Sequence, residues 1–507
     1  MLFGDGFLKK ITKSLMAIFC AGLMLPFSGC GNGEDKKHKA PTLNKDYDIC
    51  IYNSDRENQE KFRAMCDEYT DRTGVIIKTI IPTEEDDTVE NLESYLNSEN
   101  SPDIFTVSNI QELKRWKKLG DVWDFSNATE EDFKKVVNDI PDYLRLSSNT
   151  VDSFGIPYTT EAFGYVVDPK MISSLFGGDK YRTVIFDLQE CSYDEFRDMI
   201  MALKMYISGF GSASFTLNEH EYSFTSEKGE LSKNLNGAFS FAAGIPKNSG
   251  SYLANIPLSS VFDSASMANI ATMEDVAKLE KPFFAFAEAL DLMSLSVAGS
   301  KGSIGRGSEL VSTSKNSTAQ AFKNFVAGKS LFLLASTEDF KNLEVFNSLV
   351  AKRCIFIPLK MPIDEVEFRS SDAITDNINR GLSVYCPRYY CINAKSTETE
   401  RKTAQSFLTW LSTSDLAKKY VVSEFGYVPH DVEDSSVIDN PLSRSMLDYI
   451  SENKVLPAAF AGAPEDWCEE TVGKYLIEQY FTKVAWSDDD YTKIANYMME
   501  KWKELSE

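Results

Sequence analysis

The chain has 507 residues, with 53 Lys and Arg against 76 Asp and Glu, and a formal net charge of −23. Its length and 43% hydrophobic content predict more than one structural unit and exclude a disordered chain, a collagen and a disulfide mini-protein. The acidic balance excludes the clustered cations that a nucleic-acid partner or a polybasic attachment to anionic lipid requires.

At the start, Lys9, Lys10 and Lys13 precede an apolar run from Leu15 to Phe27. The run matches a signal-peptide core and is too short to span a bilayer as a mature helix. It ends in Phe27-Ser28-Gly29-Cys30. A small residue, Gly and Cys after such a run resemble the bacterial lipoprotein signal, with Phe27 in place of the usual Leu. The resemblance implies cleavage after residue 29 and lipid on Cys30; an ordinary secretory signal with an incidental Cys is the alternative. Cleavage would remove three lysines and Asp5, leaving a body near −25. Residues 30–45 are polar and read as a flexible tether.

After the tether the pattern alternates. A strand is expected over Tyr47–Tyr52, a helix from Asn58 to Thr73 stopped by Gly74, and a strand over Val75–Ile81. The β-branched run Val75–Ile81 predicts burial on both faces. A helix over Val89–Asn97 and a strand over Asp103–Val107 follow. Strand, helix, strand, helix, strand predicts an α/β fold with parallel strands and crossover helices. Further strands are expected at Ile156–Tyr158, Ala162–Val167, Leu331–Ala335 and Cys354–Pro358. A strand pair or one bent strand is expected over Gly381–Asn393. Helices are expected at Thr399–Leu411, Asp415–Phe425, Glu469–Phe481 and Asp488–Lys503, the last with Ser487 as N-cap. Phe283–Val297 contains Glu288 and Asp291, so it reads as a buried amphipathic helix rather than a membrane span. Residues 299–318 read as a long loop, and 209–250 show no assignable pattern.

The seven cysteines after Cys30 are an odd number without a C-x-x-C motif and read as buried small hydrophobes, Cys386 and Cys391 being the best-placed pair. His38, His220 and His430 are too widely spaced for a poly-histidine centre, so no metal and no cofactor are expected. Enzyme motifs fail. Gly328-Lys329-Ser330 lacks the earlier glycine of a phosphate loop, where Lys323 stands. Ser312-x-x-Lys315 lacks the companion motifs of a penicillin-binding site. Abundant carboxylates make a glycosidase pair uninformative.

Several phrases then line up in order: Asp48–Arg56, Ser101-Pro-Asp-Ile-Phe105, Gly155-Ile-Pro-Tyr158, Thr160–Asp168, Phe325-Val-Ala-Gly-Lys329, Ile355-Phe-Ile-Pro358, Ala404–Leu411 and Gly426-Tyr-Val-Pro429. Over residues 46–507 this set resembles the bacterial extracellular solute-binding proteins of family 1, the capture subunits of carbohydrate ABC importers, with maltodextrin-binding proteins as familiar relatives. The resemblance implies a two-lobed, periplasmic-binding-protein-like (type II) α/β fold with a hinge and an interlobe cleft. Lobe one would comprise 46–158 and 368–427, and lobe two 159–367 and 428–507. It implies a monomer, lipid-anchored on the outer face of a bacterial cell membrane, that captures a mono- or oligosaccharide and hands it to permease subunits. A non-sugar solute, a sensory subunit and, least, a secreted carbohydrate-active enzyme are the alternatives.

A sugar has polar edges and apolar faces, so its site needs aromatic platforms with carboxylates and amides to meet hydroxyls. By the same resemblance the contacts fall on Asn53, Asp55 and Arg56 after the first strand, with a helix N-terminus capped by Asp as the alternative. They also fall on Asn109, as cap or ligand contact, and on Glu161, flanked by Tyr158 and Phe163. Ser336, Thr337 and Glu338 end a strand at the cleft edge. Trp467 is the candidate stacking ring, with core packing as its alternative. Trp123 and Trp410 read as core.

Overall fold

In the computed structural model, residues 45–83, 88–211, 213–363, 377–432 and 434–507 are described. The signal segment, Cys30, the tether up to residue 44 and the expected lobe boundary at 368 lie outside them. The strands are, in chain order, β1 (Ile49–Tyr52), β2 (Ile77–Ile80), β3 (Ile104–Val107), β4 (Gly155–Pro157) and β5 (Glu161–Val167). Next come β6 (Phe215–Leu217), β7 (His220–Tyr222), β8 (Phe239–Ser240), β9 (Val297–Ala298) and β10 (Ser303–Ile304). The last are β11 (Phe332–Ser336), β12 (Ile355–Ile357), β13 (Leu382–Tyr385), β14 (Tyr389–Ile392) and β15 (Val455–Pro457).

They form two large sheets and a small hairpin. The first sheet has the order β2-β1-β3-β14-β4. β1 runs parallel to β2 and β3, and β14 antiparallel to β3 and β4. Its core joins Phe105 to Trp116 on the helix Ile110–Leu119, and Tyr390 to Phe62 on the helix Gln59–Thr73. Gly74 closes that second helix at φ 77°, a left-handed stop that glycine adopts without steric cost. β2 departs from expectation: it is the edge strand, and all four of its residues are half-buried rather than covered on both faces.

The second sheet has the order β10-β9-β8-β11-β5-β13-β15, with β12 also paired to β5. β5 is its spine, buried along all seven residues and antiparallel to β11, β12 and β13. Alternation along β5 feeds two cores: Phe163, Tyr165 and Val167 pack to one side, Ala162 and Val166 to the other. Gly164 sits where β12 and β13 share one side of β5. A Cβ there would lie 2.9 Å from Leu382 Cδ1 and 3.1 Å from the Ile357 carbonyl oxygen, so only glycine leaves room.

The segment Gly381–Asn393 resolves into two strands in different sheets, β13 in the second and β14 in the first. The chain therefore crosses between sheets at 158–160 and again at 386–388. Two expected helices are interrupted. Asp415–Lys419 gives way to a wider π turn, Tyr420–Glu424, and another π turn, Trp467–Gly473, precedes the short helix Lys474–Gln479. The Phe283–Val297 run forms the largely buried helix Glu280–Ser294, and Ser487 caps Asp488–Ser506 through a capping box with Asp490. Among the described residues no helix is long and apolar enough to cross a membrane.

The 209–250 region carries the β6–β7 hairpin, turned by Asn218 and Glu219 at positive φ. It is pinned to the buried Asp187, which accepts from Asn218 Nδ2 at 3.1 Å and from the Tyr222 hydroxyl at 2.5 Å, with His220 Nδ1 at 2.9 Å. The seven described cysteines are free, six of them buried. Cys386 and Cys391 are therefore not paired: Cys386 lies in the crossing, with its thiol donating to the Arg388 carbonyl at 2.7 Å, while Cys391 is inside β14.

Candidate functional site

Topology brings strand ends of both sheets to the short connection 158–160. β1, β3 and β4 run in the same direction, so Tyr52, Val107 and Pro157 end on one edge of the first sheet. From that edge, 158–160 leads straight to Glu161 at the start of β5. In the second sheet Glu161 lies opposite Tyr385, the end of β13, and beside Ser336, the end of β11, because β5 opposes both strands. Crevices beyond the carboxyl ends of strands are where open α/β sheets hold ligands.

The first-sheet side is organised by Asp55, 2% exposed. Its Oδ2 accepts from the Tyr158 hydroxyl at 2.7 Å, the Tyr427 hydroxyl at 2.9 Å and Asn58 Nδ2 at 3.0 Å. Asn53, fully buried, accepts from the Asp55 N–H at 3.0 Å and reaches the Tyr158 hydroxyl at 3.4 Å. Tyr158 packs between Tyr390 and Tyr427, at 4.9 and 5.2 Å. Asn53, Asp55 and Tyr158 thus spend their polar atoms inside the protein. They clasp the loop after β1 to the crossing 158–160 and to Tyr427, beside a small pocket lined by Ile156, Leu411, Phe425 and His430. Burial, then the neighbouring Tyr390 and Asp55, pushes the Tyr158 phenol well above its ordinary range.

The second-sheet side is organised by Glu161, 8% exposed. Thr337 donates to its Oε2, and the Thr159 hydroxyl lies 3.5 Å from its Oε1. Around it stand rings: Phe163 stacks on Tyr252 at 4.3 Å and meets Tyr385 at 5.8 Å and Phe460 at 6.0 Å. Lys247 Nζ lies 4.9 Å over the Tyr252 ring. Burial opposes the Lys247 charge, but Tyr252, Glu338 and Glu469 outweigh it and raise its pKa. Glu338 is exposed, the buried Thr160 Oγ1 has no hydrogen-bond partner among the described residues, and the buried Tyr385 hydroxyl lies beside Tyr252. An ammonium, a carboxylate and an unpaired hydroxyl beside a cluster of rings are the kinds of donor and acceptor that a polyol needs.

Burial, reinforced by Glu338, pushes the Glu161 carboxyl from 4.5 up to about 8. Unfolded, the group loses its proton near 4.5; folded, it keeps it to about 8. Between those values the folded chain binds the extra proton, so its stability falls as pH rises through this window and levels off above it. A contribution on the order of a few kcal/mol is expected to be present at pH 4.5 and lost by pH 8.5. Glu161→Gln should flatten that part of the melting-temperature profile; an unchanged slope would refute the assignment.

The remaining expected residues are placed as follows. Arg56 is half-buried in the loop after β1. Asn109 is exposed and caps the helix Ile110–Leu119, accepting from the Glu112 N–H at 2.9 Å. Ser336 turns inward to Asp339, which accepts its N–H at 2.9 Å and its hydroxyl at 3.1 Å. Trp467 is a correction: it is 0% exposed, packs on Trp502 at 4.9 Å and Phe283 at 5.8 Å, and donates its indole N–H to the Met498 carbonyl. It has no open face for a solute. Among the described residues no cluster of three or more His, Cys, Asp and Glu could hold a metal ion.

Residues 64–436 match the family model described as bacterial extracellular solute-binding protein, well over half of the chain. The chain belongs to that family. As a solute-binding protein it also shares its fold with solved structures. One is a family 1 extracellular solute-binding protein from Bifidobacterium longum subsp. infantis, 16% identical over 90% of this chain and 99% of that one, with a TM-score of 0.57. Another is RafE from Streptococcus pneumoniae in its apo form, 12% identical over 90% and 98%, TM-score 0.54. A third is a cyclo/maltodextrin-binding protein complexed with maltotetraose, 12% identical over 90% and 97%, TM-score 0.51. No curated protein matches the chain.

Sequence reasoning missed Lys247, Tyr252, Tyr385, Phe460 and Tyr427. Lys247 and Tyr252 fall in the 209–250 stretch and the π turn Asn248–Leu253, where no periodic pattern marks a side. Tyr385 had a usable signal: it ends a strand immediately before the Cys386-Pro387 break.

Proposed function

We propose that this solute-binding protein captures a carbohydrate, a mono- or oligosaccharide, and delivers it to the permease of an ABC importer. On this reading the cleft lies between the two sheet edges, with closure driven by contacts to both lobes, and ligand-free turnover chemistry plays no part. Lipid on Cys30 would hold the protein at the outer face of the membrane. The observation that carries the reading is the pair of charged groups, Lys247 and the exposed Glu338, beside the ring cluster of Phe163, Tyr252, Tyr385 and Phe460. RafE has been solved in complex with raffinose and a fold relative with maltotetraose, which supports a sugar as the solute class.

Micromolar capture needs only about −8 kcal/mol. The test is calorimetric titration with raffinose, maltotetraose, D-galactose and a wider sugar panel. Binding is expected, with Glu338→Ala and Lys247→Ala each weakening it roughly tenfold through a lost charge-assisted hydrogen bond while leaving the melting temperature nearly unchanged. A panel without any heat of binding, or both variants binding as wild type, would refute the proposal.

A further inference from the structure

Besides the strand crossings, two pairs of segments join the sides of the two sheets. With the first sheet stand the helix Ile110–Leu119, whose Trp116 packs on Phe105 of β3, and the loop 147–152, which leads into β4. With the second sheet stand the short helix Ala265–Asn269 and the turn Ala459–Gly462, which pack together. Ala268 and Ala459 share a buried core with Phe163 and Tyr165 of β5.

The loop 147–152 is organised by the buried carboxylate of Asp152. It accepts from the Ser147 hydroxyl at 2.7 Å, the Ser148 N–H at 2.9 Å, the Ser148 hydroxyl at 2.7 Å and Asn149 Nδ2 at 2.9 Å. Lys117 donates to the same carboxylate at 2.7 Å and ties the loop to the helix Ile110–Leu119. The loop's side chains are thus spent on Asp152, and its main chain makes the contacts to the other side. The Ser147 carbonyl accepts from the Ser266 hydroxyl at 3.2 Å, and the Ser148 carbonyl from Asn269 Nδ2 at 2.8 Å. A third bond runs from Gln111 Nε2 to the Ala463 carbonyl, between residues 352 positions apart.

We propose that these three hydrogen bonds form a latch that holds the two sheets together beside the ring cluster with no solute present. The turn that ends at Ala463 carries Phe460, so the latch borders the candidate site. All three acceptors are main-chain carbonyls, which water takes over when the sides part. The latch is therefore reversible, and each bond favours the closed state by about fivefold. Loss of all three shifts the equilibrium towards the open state by roughly a hundredfold. A solute that touches both sides adds its own contacts to a state already populated. The latch goes beyond the carbohydrate reading and holds whatever the solute is.

The experiment is small-angle X-ray scattering of the full chain, freed of solute by dialysis. The triple variant Gln111→Ala, Ser266→Ala and Asn269→Ala is expected to have a larger radius of gyration than wild type. Gln111→Glu separates the latch from the fold. A glutamate in the first turn favours the helix Ile110–Leu119, while its carboxylate opposes the Ala463 carbonyl. It should expand the protein without lowering its melting temperature. Wild-type radii in both variants would overturn the latch. So would a triple variant that expands only with a fall in melting temperature while Gln111→Glu stays compact, because the contacts would then be static packing. No sugar enters the measurement, so either failure leaves the carbohydrate reading standing.

Discussion

Trp467→Ala is expected to cost the folded chain about 3–5 kcal/mol, the range for removing a buried aromatic side chain and leaving its cavity. The indole is 0% exposed, its ring meets Trp502 and Phe283, and its N–H is spent on the Met498 carbonyl. The substitution would open a void between the helix Glu280–Ser294 and the helix Asp488–Ser506, which pack together. It would also remove the indole donor from the Met498 carbonyl, which keeps only its helical bond. Urea unfolding should show the loss directly. A solute-stacking role predicts the reverse: weaker sugar binding at unchanged stability. That outcome would return Trp467 to the site and overturn its placement in the core.

Asp55→Ala should be nearly as damaging, for a different reason. Three donors, the Tyr158 and Tyr427 hydroxyls and Asn58 Nδ2, converge on one carboxylate oxygen with almost no access to water. Removing the acceptor strands the Tyr158 and Tyr427 hydroxyls, at about 1–3 kcal/mol for each buried donor, while Asn58 Nδ2 keeps its second bond to the Tyr427 hydroxyl at 3.0 Å. Tyr158→Phe and Tyr427→Phe, which remove a donor and leave the acceptor, should each cost only about 1 kcal/mol. The double variant Asp55→Ala with Tyr158→Phe should be more stable than the sum of the single losses implies, because they share one hydrogen bond. Additive losses would break the proposed clasp. Wild-type stability with lost sugar binding in Asp55→Ala would make Asp55 a direct solute contact instead.

The contrast between these two residues and Glu338 shows how far sequence reading reaches into the site. Asn53, Asp55 and Glu161 stand out as polar residues at strand ends, and all of them occupy the facing sheet edges. Their division of labour does not follow from residue type. Asp55 and Glu161 are both carboxylates next to β-strands. One is saturated by three protein donors, while the other is held by threonine hydroxyls, beside an exposed Glu338. Trp467 and Tyr385 are both aromatic and both buried, yet only Tyr385 lies at a sheet edge, opposite Glu161.

What the sequence by itself determined is local. Alternating strands and helices, the Gly74 stop and the Ser487 N-cap all follow from periodicities and caps spanning a few residues. The order of its phrases also placed the chain in its family before any contact was known. Tertiary structure decided which neighbours distant segments find. Tyr427 reaches Asp55 across 372 positions, and Thr337 reaches Glu161 across 176. The short stretch from Leu382 to Ile392 divides between two sheets because β5 and β15 flank one half, and β3 and β4 the other. Those pairings are set by packing between segments far apart along the chain, and neither helical nor strand periodicity encodes them.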